Sequence, residues 1–254
     1  MSEVGYALDG KVTLVTGGGS GIGRACSELL ARSGAAVGVA DLNIELAHEV
    51  VDSIHAVGGT AFAIHVDVAD EESVARMIAT VLTEAGRLDS AVNNAGIGES
   101  WAPVGELTTE AWRRVMSVNL DGVFYCMRAE IGAMQATGGG SIVNLASVLA
   151  QVGRAGSAPY VASKHGVLGL TRAAALDYAA QGIRINAVGP GFIRTPMLAA
   201  RHDDAALAAL ETLHATARLG RPEEVAEIVA WLVSDASTFA VGAIFNVDGG
   251  YSAC

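Results

Sequence analysis

Only two of the sixteen basic residues in this 254-residue chain are lysines, Lys11 and Lys164, and the second stands four residues after a tyrosine in APYVASKHG, Ala158 to Gly166. Four residues is close to one helical turn, so in a helix Tyr160 and Lys164 share a face. A phenol beside an ammonium is one whose ionised form is favoured. A free tyrosine, with a pKa near ~10, is too weak a base at neutral pH; one paired in this way can give or take a proton there. Spacing alone leaves a second reading, a Tyr–Lys pair on a solvated helix face.

A second set of residues suits a phosphate. TGGGSGIG, Thr16 to Gly23, follows the apolar run KVTLVT. Glycines let the backbone turn sharply and approach a pyrophosphate, and a helix opening there offers N–H groups and a positive dipole end. Gly17, Ser20, Gly21, Ile22 and Gly23 are the candidates, on a spacing that departs from the G-x-G-x-x-G fingerprint; a flexible turn is the alternative. Asp41, followed by Leu42, ends the next apolar run. A carboxylate there would accept hydrogen bonds from adenosine ribose hydroxyls and repel a 2′-phosphate, or would cap a helix beginning near Asn43. Ser20 brings no positive charge for a 2′-phosphate, so the residues point to NAD rather than NADP. Asp67, followed by Val68, closes a third run, where it could accept from an adenine amino group. NNAG closes a fourth: Asn94, Ala95 and Gly96 permit close contact with a cofactor and the amides can tie strand ends together, against the alternative of a plain turn.

These residues sit at the ends of short apolar runs that alternate with helical patterns. Strands are expected at Lys11–Thr16, Ala35–Asp41, Ala61–Asp67, Leu88–Ala95, Gly140–Ser147, Ile183–Pro190 and Ala243–Gly250, with helices at Ile22–Arg32, about Asn43 to Val57, and Glu71–Ala85. Continuous apolar strands joined by helices imply an α/β fold, a doubly wound parallel sheet with helices on both faces. No linker or repeat divides the chain, which reads as one dinucleotide-binding catalytic domain, 1–254. Its longest segment without a strand, roughly Gly191 to Arg221, is expected to form a substrate-binding loop or lid.

Composition narrows the partners. The net charge of −11 and a pI near 4.9 argue against nucleic acid and anionic membrane, so a bound phosphate must be held by local geometry. Charged residues are only 17% against 51% hydrophobic, which leaves apolar surface to be buried between subunits. Cys26, Cys126 and Cys254 form no spaced motif, which fits a reducing, cytoplasmic setting and no metal site. MSEVGYALDG lacks the basic and then apolar regions of a signal peptide, and no apolar run is long enough to span a bilayer.

Together, TGGGSGIG, NNAG, Asn119 in SVNLDG, Ser147, YVASK and GPGFIRTP occur in the order and at the separations of the short-chain dehydrogenase/reductase family, which this chain resembles over nearly its whole length. NNAGIGE, AVGPGFIRTP and the ending DGGY are most similar to its bacterial secondary-alcohol dehydrogenases. The resemblance implies a Rossmann-type sheet of seven parallel strands and a homotetramer. It implies Tyr160 as the proton donor and acceptor, Lys164 as the residue that holds the nicotinamide ribose and depresses the tyrosine pKa, and Ser147 as a hydrogen-bond partner of the substrate oxygen. Asn119 is implied to position a water chain to the lysine. Pro190, Gly191, Ile193 and Thr195 are implied to lie against the nicotinamide, with the Thr195 hydroxyl on its carboxamide.

The candidate pocket residues, Gly98, Leu149, Gln151, Val152, Phe192 and Met197, carry no fixed charge, and a neutral, fairly hydrophobic secondary alcohol or ketone suits them. Gln151 either reads a second substrate oxygen or faces solvent. Two other readings stand beside this one. An acyl-carrier-protein ketoreductase shares the fold, but would need NADPH and basic residues for an acidic carrier, and Ala129 to Gly140 holds none. A nucleotide-binding module without turnover would have no use for an intact Asn–Ser–Tyr–Lys set.

Overall fold

The computed structural model describes residues 6–98 and 101–253. The first five residues of the N-terminal stretch, Glu99 at the end of NNAGIGE, Ser100 and Cys254 lie outside the described residues.

Seven strands form one sheet: β1 (Val12–Thr16), β2 (Ala36–Asp41), β3 (Thr60–His65), β4 (Ser90–Asn93), β5 (Gly140–Leu145), β6 (Ile183–Pro190) and β7 (Ile244–Val247). Their order is β3-β2-β1-β4-β5-β6-β7 and every pair is parallel. Seven strands were expected, but several stop short. Leu88 is buried without joining the ladder, and Asn94 and Ala95 already belong to the turn after β4. Gly249 and Gly250, at φ of 56° and 85°, take the chain out of extended geometry after β7.

Nine α-helices stand among the described residues, besides short 3-10 and π turns: α1 (Gly21–Arg32), α2 (Ile44–Ala56), α3 (Glu71–Ala85), α4 (Thr109–Met116), α5 (Gly122–Thr137), α6 (Ala158–Tyr178), α7 (Pro196–Ala199), α8 (Asp204–Glu211) and α9 (Pro222–Val233). Successive strand residues point to opposite faces. Leu14, Ala91 and Ile142 pack with Met77 of α3, Met127 of α5 and Val167 of α6. Their neighbours Val15, Val92 and Val143 pack with Leu30 of α1, Val50 of α2 and Val229 of α9. Both faces are covered, so β1 and β4 are buried at every residue rather than at alternate ones. No helix among the described residues is long and apolar enough to cross a membrane.

From β1 the sheet grows outward through β2 and β3; from β4 it grows the other way. The reversal opens a crevice at the carboxyl ends of β1 and β4, where ligands bind in such sheets. This seam is stitched. The Asn94 amide donates to the Thr16 and Gly17 carbonyls at 3.0 and 2.9 Å, and the Thr16 hydroxyl accepts from the Asn94 and Ala95 backbone N–H groups, each at 3.2 Å. Asn93 donates to Asn144 at 3.0 Å, joining β4 to β5. The excursion after β6 carries α7 and α8. It is closed at its base, where Arg194 N–H donates to the Gly220 carbonyl and Gly220 N–H to the Phe192 carbonyl, both at 2.9 Å.

Candidate active site

A cavity of about 430 Å³ fills the crevice. At one end stand Gly17, Ser20, Gly21, Ile22, Asp41, Leu42, Asp67 and Val68; Asn94, Ala95 and Gly96 form its floor. Pro190, Gly191, Ile193 and Thr195 close one side, and Ser147, Leu149, Tyr160, Lys164, Phe192, Met197 and Gly98 complete it. Strand ends and loops far apart in sequence therefore meet in one place. Gly23, Asn119, Gln151 and Val152 are not part of the wall. Gln151 is exposed and donates to Asn246 at 2.8 Å, and Val152 is exposed beside it.

The glycine turn is shaped for close backbone approach. Gly17 has φ of 62°, and a Cβ there would come within 2.9 Å of Ala95 and of the Asn94 amide. A Cβ on Gly23 would collide with the Gly17 carbonyl, so Gly23 serves the packing of the turn. A Cβ on Gly21 would meet Thr195 at 3.2 Å, which places the excursion after β6 directly against the turn. Ser20 precedes α1 without a side-chain capping bond, and no acidic residue stands in the first turn of that helix. α2 and α3, in contrast, are capped by Asn43 and Asp70. A glycine cradle and uncapped N–H groups fit a dinucleotide pyrophosphate.

Asp41 does not cap α2; the Asn43 side chain does, accepting from Glu45 and Leu46 N–H. One Asp41 oxygen accepts from Asn43 N–H at 3.0 Å and the other from Gly19 N–H at 2.9 Å. A carboxylate has room for further donors, and this one borders the cavity. Asp67 accepts from Ala69 N–H at 2.9 Å and borders it likewise.

Tyr160 and Lys164 lie on the first turns of α6, with the Lys164 nitrogen 5.6 Å from the centre of the tyrosine ring. The ammonium is buried and donates to the Leu145 carbonyl at 2.7 Å. Burial pushes its pKa down from 10.5 to about 8, so it is charged at neutral pH. Ser147 follows β5 in extended geometry and accepts from Leu149 N–H at 3.1 Å, which leaves its own proton to donate. Thr195 accepts from Leu198 N–H at 3.3 Å in the same manner.

Asn119 falls in a π-helical turn, Ser117–Asp121, between α4 and α5; such turns recur at functional sites. Its side chain both accepts from Ile97 N–H and donates to the Ile97 carbonyl, at 2.8 Å each. A Cβ on Gly96 would lie 3.3 Å from the Asn119 oxygen and 3.8 Å from the Lys164 nitrogen. The amide holds Ile97 close to the lysine.

Three features were missed in the sequence. Arg154 and Arg201 border the cavity together with Trp101; they stand outside every motif, so nothing in their spacing marks them. The third is Glu130 on α5, fully buried behind the site, where it accepts from Asn93 at 2.9 Å. Burial pushes its carboxyl up to about 8, against the opposing Asn93 bond. No pattern of charge distinguishes it from a surface glutamate. Among the described residues there is no cluster of metal-binding side chains.

A family model described as enoyl-(acyl carrier protein) reductase matches residues 17–252. The chain is 47% identical to cyclohexanol dehydrogenase of Acinetobacter sp. (strain SE19), over 96% of each chain. It is 48% identical to cis-4-hydroxycyclohexanecarboxylate dehydrogenase of Sinomonas cyclohexanicum, over 98% of this chain and 100% of that one. A crystal structure from Beutenbergia cavernae, assigned there as an NAD(P)-dependent gluconate 5-dehydrogenase with NADP bound at low occupancy, superposes with a TM-score of 0.93. It is 39% identical and covers 99% of this chain and 100% of that chain.

Proposed function

Since the chain belongs to the short-chain dehydrogenase/reductase family, an oxidoreductase that interconverts a secondary alcohol and its ketone, we propose that it is an NAD-dependent dehydrogenase of ring alcohols, with Tyr160 as general acid and base. The observation that carries this reading is the meeting of Ser147, Tyr160 and Lys164 in the cavity that also contains the glycine turn and Asp41.

A nicotinamide bound along the crevice supplies or accepts the hydride. The chain's own residues do the rest. Ser147 donates to the substrate oxygen and fixes its distance from Tyr160. Tyr160 takes the alcohol proton in oxidation and returns it in reduction. Lys164, charged and anchored on Leu145, favours the phenolate and holds the nicotinamide ribose. Asn119 keeps residues 96 and 97 in place beside it. Pro190, Gly191, Ile193 and Thr195, which line the same cavity, would hold the nicotinamide. Asp41 selects NAD by accepting ribose hydroxyls and repelling a 2′-phosphate, which its freedom from capping α2 supports. The uncharged walls at Leu149, Phe192 and Met197 suit a hydrophobic ring, and the two ring-alcohol relatives support that class. The excursion over residues 191–221 acts as the substrate-binding flap of a single catalytic domain.

Free, buried Cys26 and Cys126 fit a reducing cytoplasm. Exposed Phe124, Leu176 and Phe239 fit burial in a homotetramer. Purified protein given NAD or NADP with cyclohexanol, cyclopentanol and linear alcohols is expected to form NADH fastest with the ring alcohols. Faster reduction of NADP, or turnover confined to linear alcohols, would overturn the corresponding half of the assignment. Light scattering at micromolar concentration tests the tetramer.

A further inference from the structure

The guanidinium carbon of Arg154 lies over two aromatic rings, 4.6 Å from the centre of Trp101 and 4.5 Å from that of Phe192. Both contacts favour a cation. Its N–H groups lie in the plane, in the fork arrangement that matches a carboxylate. Among the described residues no carboxylate forms an ion pair with it, and it is half-buried, so loss of water pushes its pKa down. The described carboxylates that border the cavity, Asp41 and Asp67, close β2 and follow β3, at the opposite end. A second guanidinium, Arg201, borders the cavity at the same end as Arg154. In a chain of net charge −11, a guanidinium bordering a largely apolar pocket stands out.

Building on the ring-alcohol reading, we propose that the pocket accepts, beyond neutral ring alcohols, ring alcohols that bear a carboxylate on a carbon other than the reacting one, and that Arg154 binds that carboxylate edge-on. The aromatic pair fixes the guanidinium before the substrate arrives, so little rotamer freedom is lost on binding. The same Phe192 that stacks on Arg154 borders the pocket of the reacting ring, so one side chain supports both the apolar body and the anion of the substrate.

The test compares cyclohexanol, cis-4-hydroxycyclohexanecarboxylate and its neutral methyl ester as substrates of the parent, Arg154→Met and Arg154→Lys. In parallel, unreactive cyclohexanecarboxylate is titrated calorimetrically into the NAD-loaded proteins. Arg154→Met is expected to lower the carboxylate-to-ester ratio of kcat/KM by about 10- to 150-fold, the worth of one hydrogen bond to a charged group, mainly through KM. Arg154→Lys should recover part of the loss, and cyclohexanecarboxylate should bind the parent and not the Met variant. A ratio unmoved in Arg154→Met, or equal binding of cyclohexanecarboxylate by parent and Met variant, overturns the role of Arg154. A parent that binds cyclohexanecarboxylate through Arg154 yet oxidises none of the alcohols overturns the dehydrogenase reading while upholding the anion site.

Discussion

The Lys164 ammonium donates to the carbonyl of Leu145, two residues before Ser147, at 2.7 Å. The lysine proposed to tune Tyr160 thus also grips the strand end that leads to Ser147, the proposed partner of the substrate oxygen. One substitution there disturbs charge and geometry together. Raising the pH through about 8 removes the charge from the parent while keeping the side chain. Cofactor affinity of the parent is therefore expected to fall as pH rises through that value, whereas Lys164→Met binds weakly at all pH. Fluorescence titration with NADH across the alkaline range checks this; parallel curves for both proteins would dismiss Lys164 as the titrating group.

Tyr160→Phe keeps the ring and removes the hydroxyl. Turnover is expected to fall by about 10²- to 10⁴-fold, the usual share of general acid–base catalysis, with thermal stability and NADH binding preserved. Turnover within a few-fold of the parent would assign the proton transfer elsewhere.

Asp41→Ser with Ser20→Arg is expected to move kcat/KM from NADH toward NADPH. The Gly19 bond to Asp41 adds a cost that the double variant must bear: each hydrogen bond to a charged acceptor is worth about 1.5–3 kcal/mol, so stability falls even as preference shifts. Measurements of both reduced cofactors with one ketone decide it, since a purely structural Asp41 would lower stability and leave the ratio in place.

Glu130→Gln tests the buried acid. The folded carboxyl titrates at about 8 and the unfolded one near the ordinary 4.5. Because the folded pKa is raised, its favourable share is complete below the unfolded value and is lost as pH rises through the folded one. The variant is isosteric and cannot ionise. Its melting temperature relative to the parent is expected to rise between those two pH values, by about 2–4 °C for each kcal/mol gained, and to level off above the upper one. A pH-independent difference would mean that Glu130 does not titrate with folding.

Strands, the glycine turn and the Tyr160–Lys164 face were legible because each depends on local rules: apolar runs, turn residues and helical spacing. The doubly wound sheet and its seven strands followed from seven apolar runs alternating with helical patterns, and the resemblance agreed with that count. Strand ends were read too long at Ser147 and Gly249, where the side chain or φ turns the backbone out of the ladder after the apolar pattern has begun to fade. The π-turn around Asn119 leaves no mark in residue type, since its spacing differs from an α-helix by a single residue. Arg154 and Glu130 were invisible for a common reason. Each is a charged residue whose surroundings come from distant parts of the chain, Trp101 and Phe192 for one, Asn93 for the other.

Burial of Glu130 also has a consequence in time. The carboxyl is fully enclosed behind the sheet, so its proton leaves only when α5 and the strand ends part briefly, an event governed by local opening rather than by diffusion of water. A protein moved abruptly from acid to alkaline solution carries its earlier protonation state until that opening occurs. Its stability then drifts to the new value at the opening rate, so the lag reads out how often this part of the core breathes.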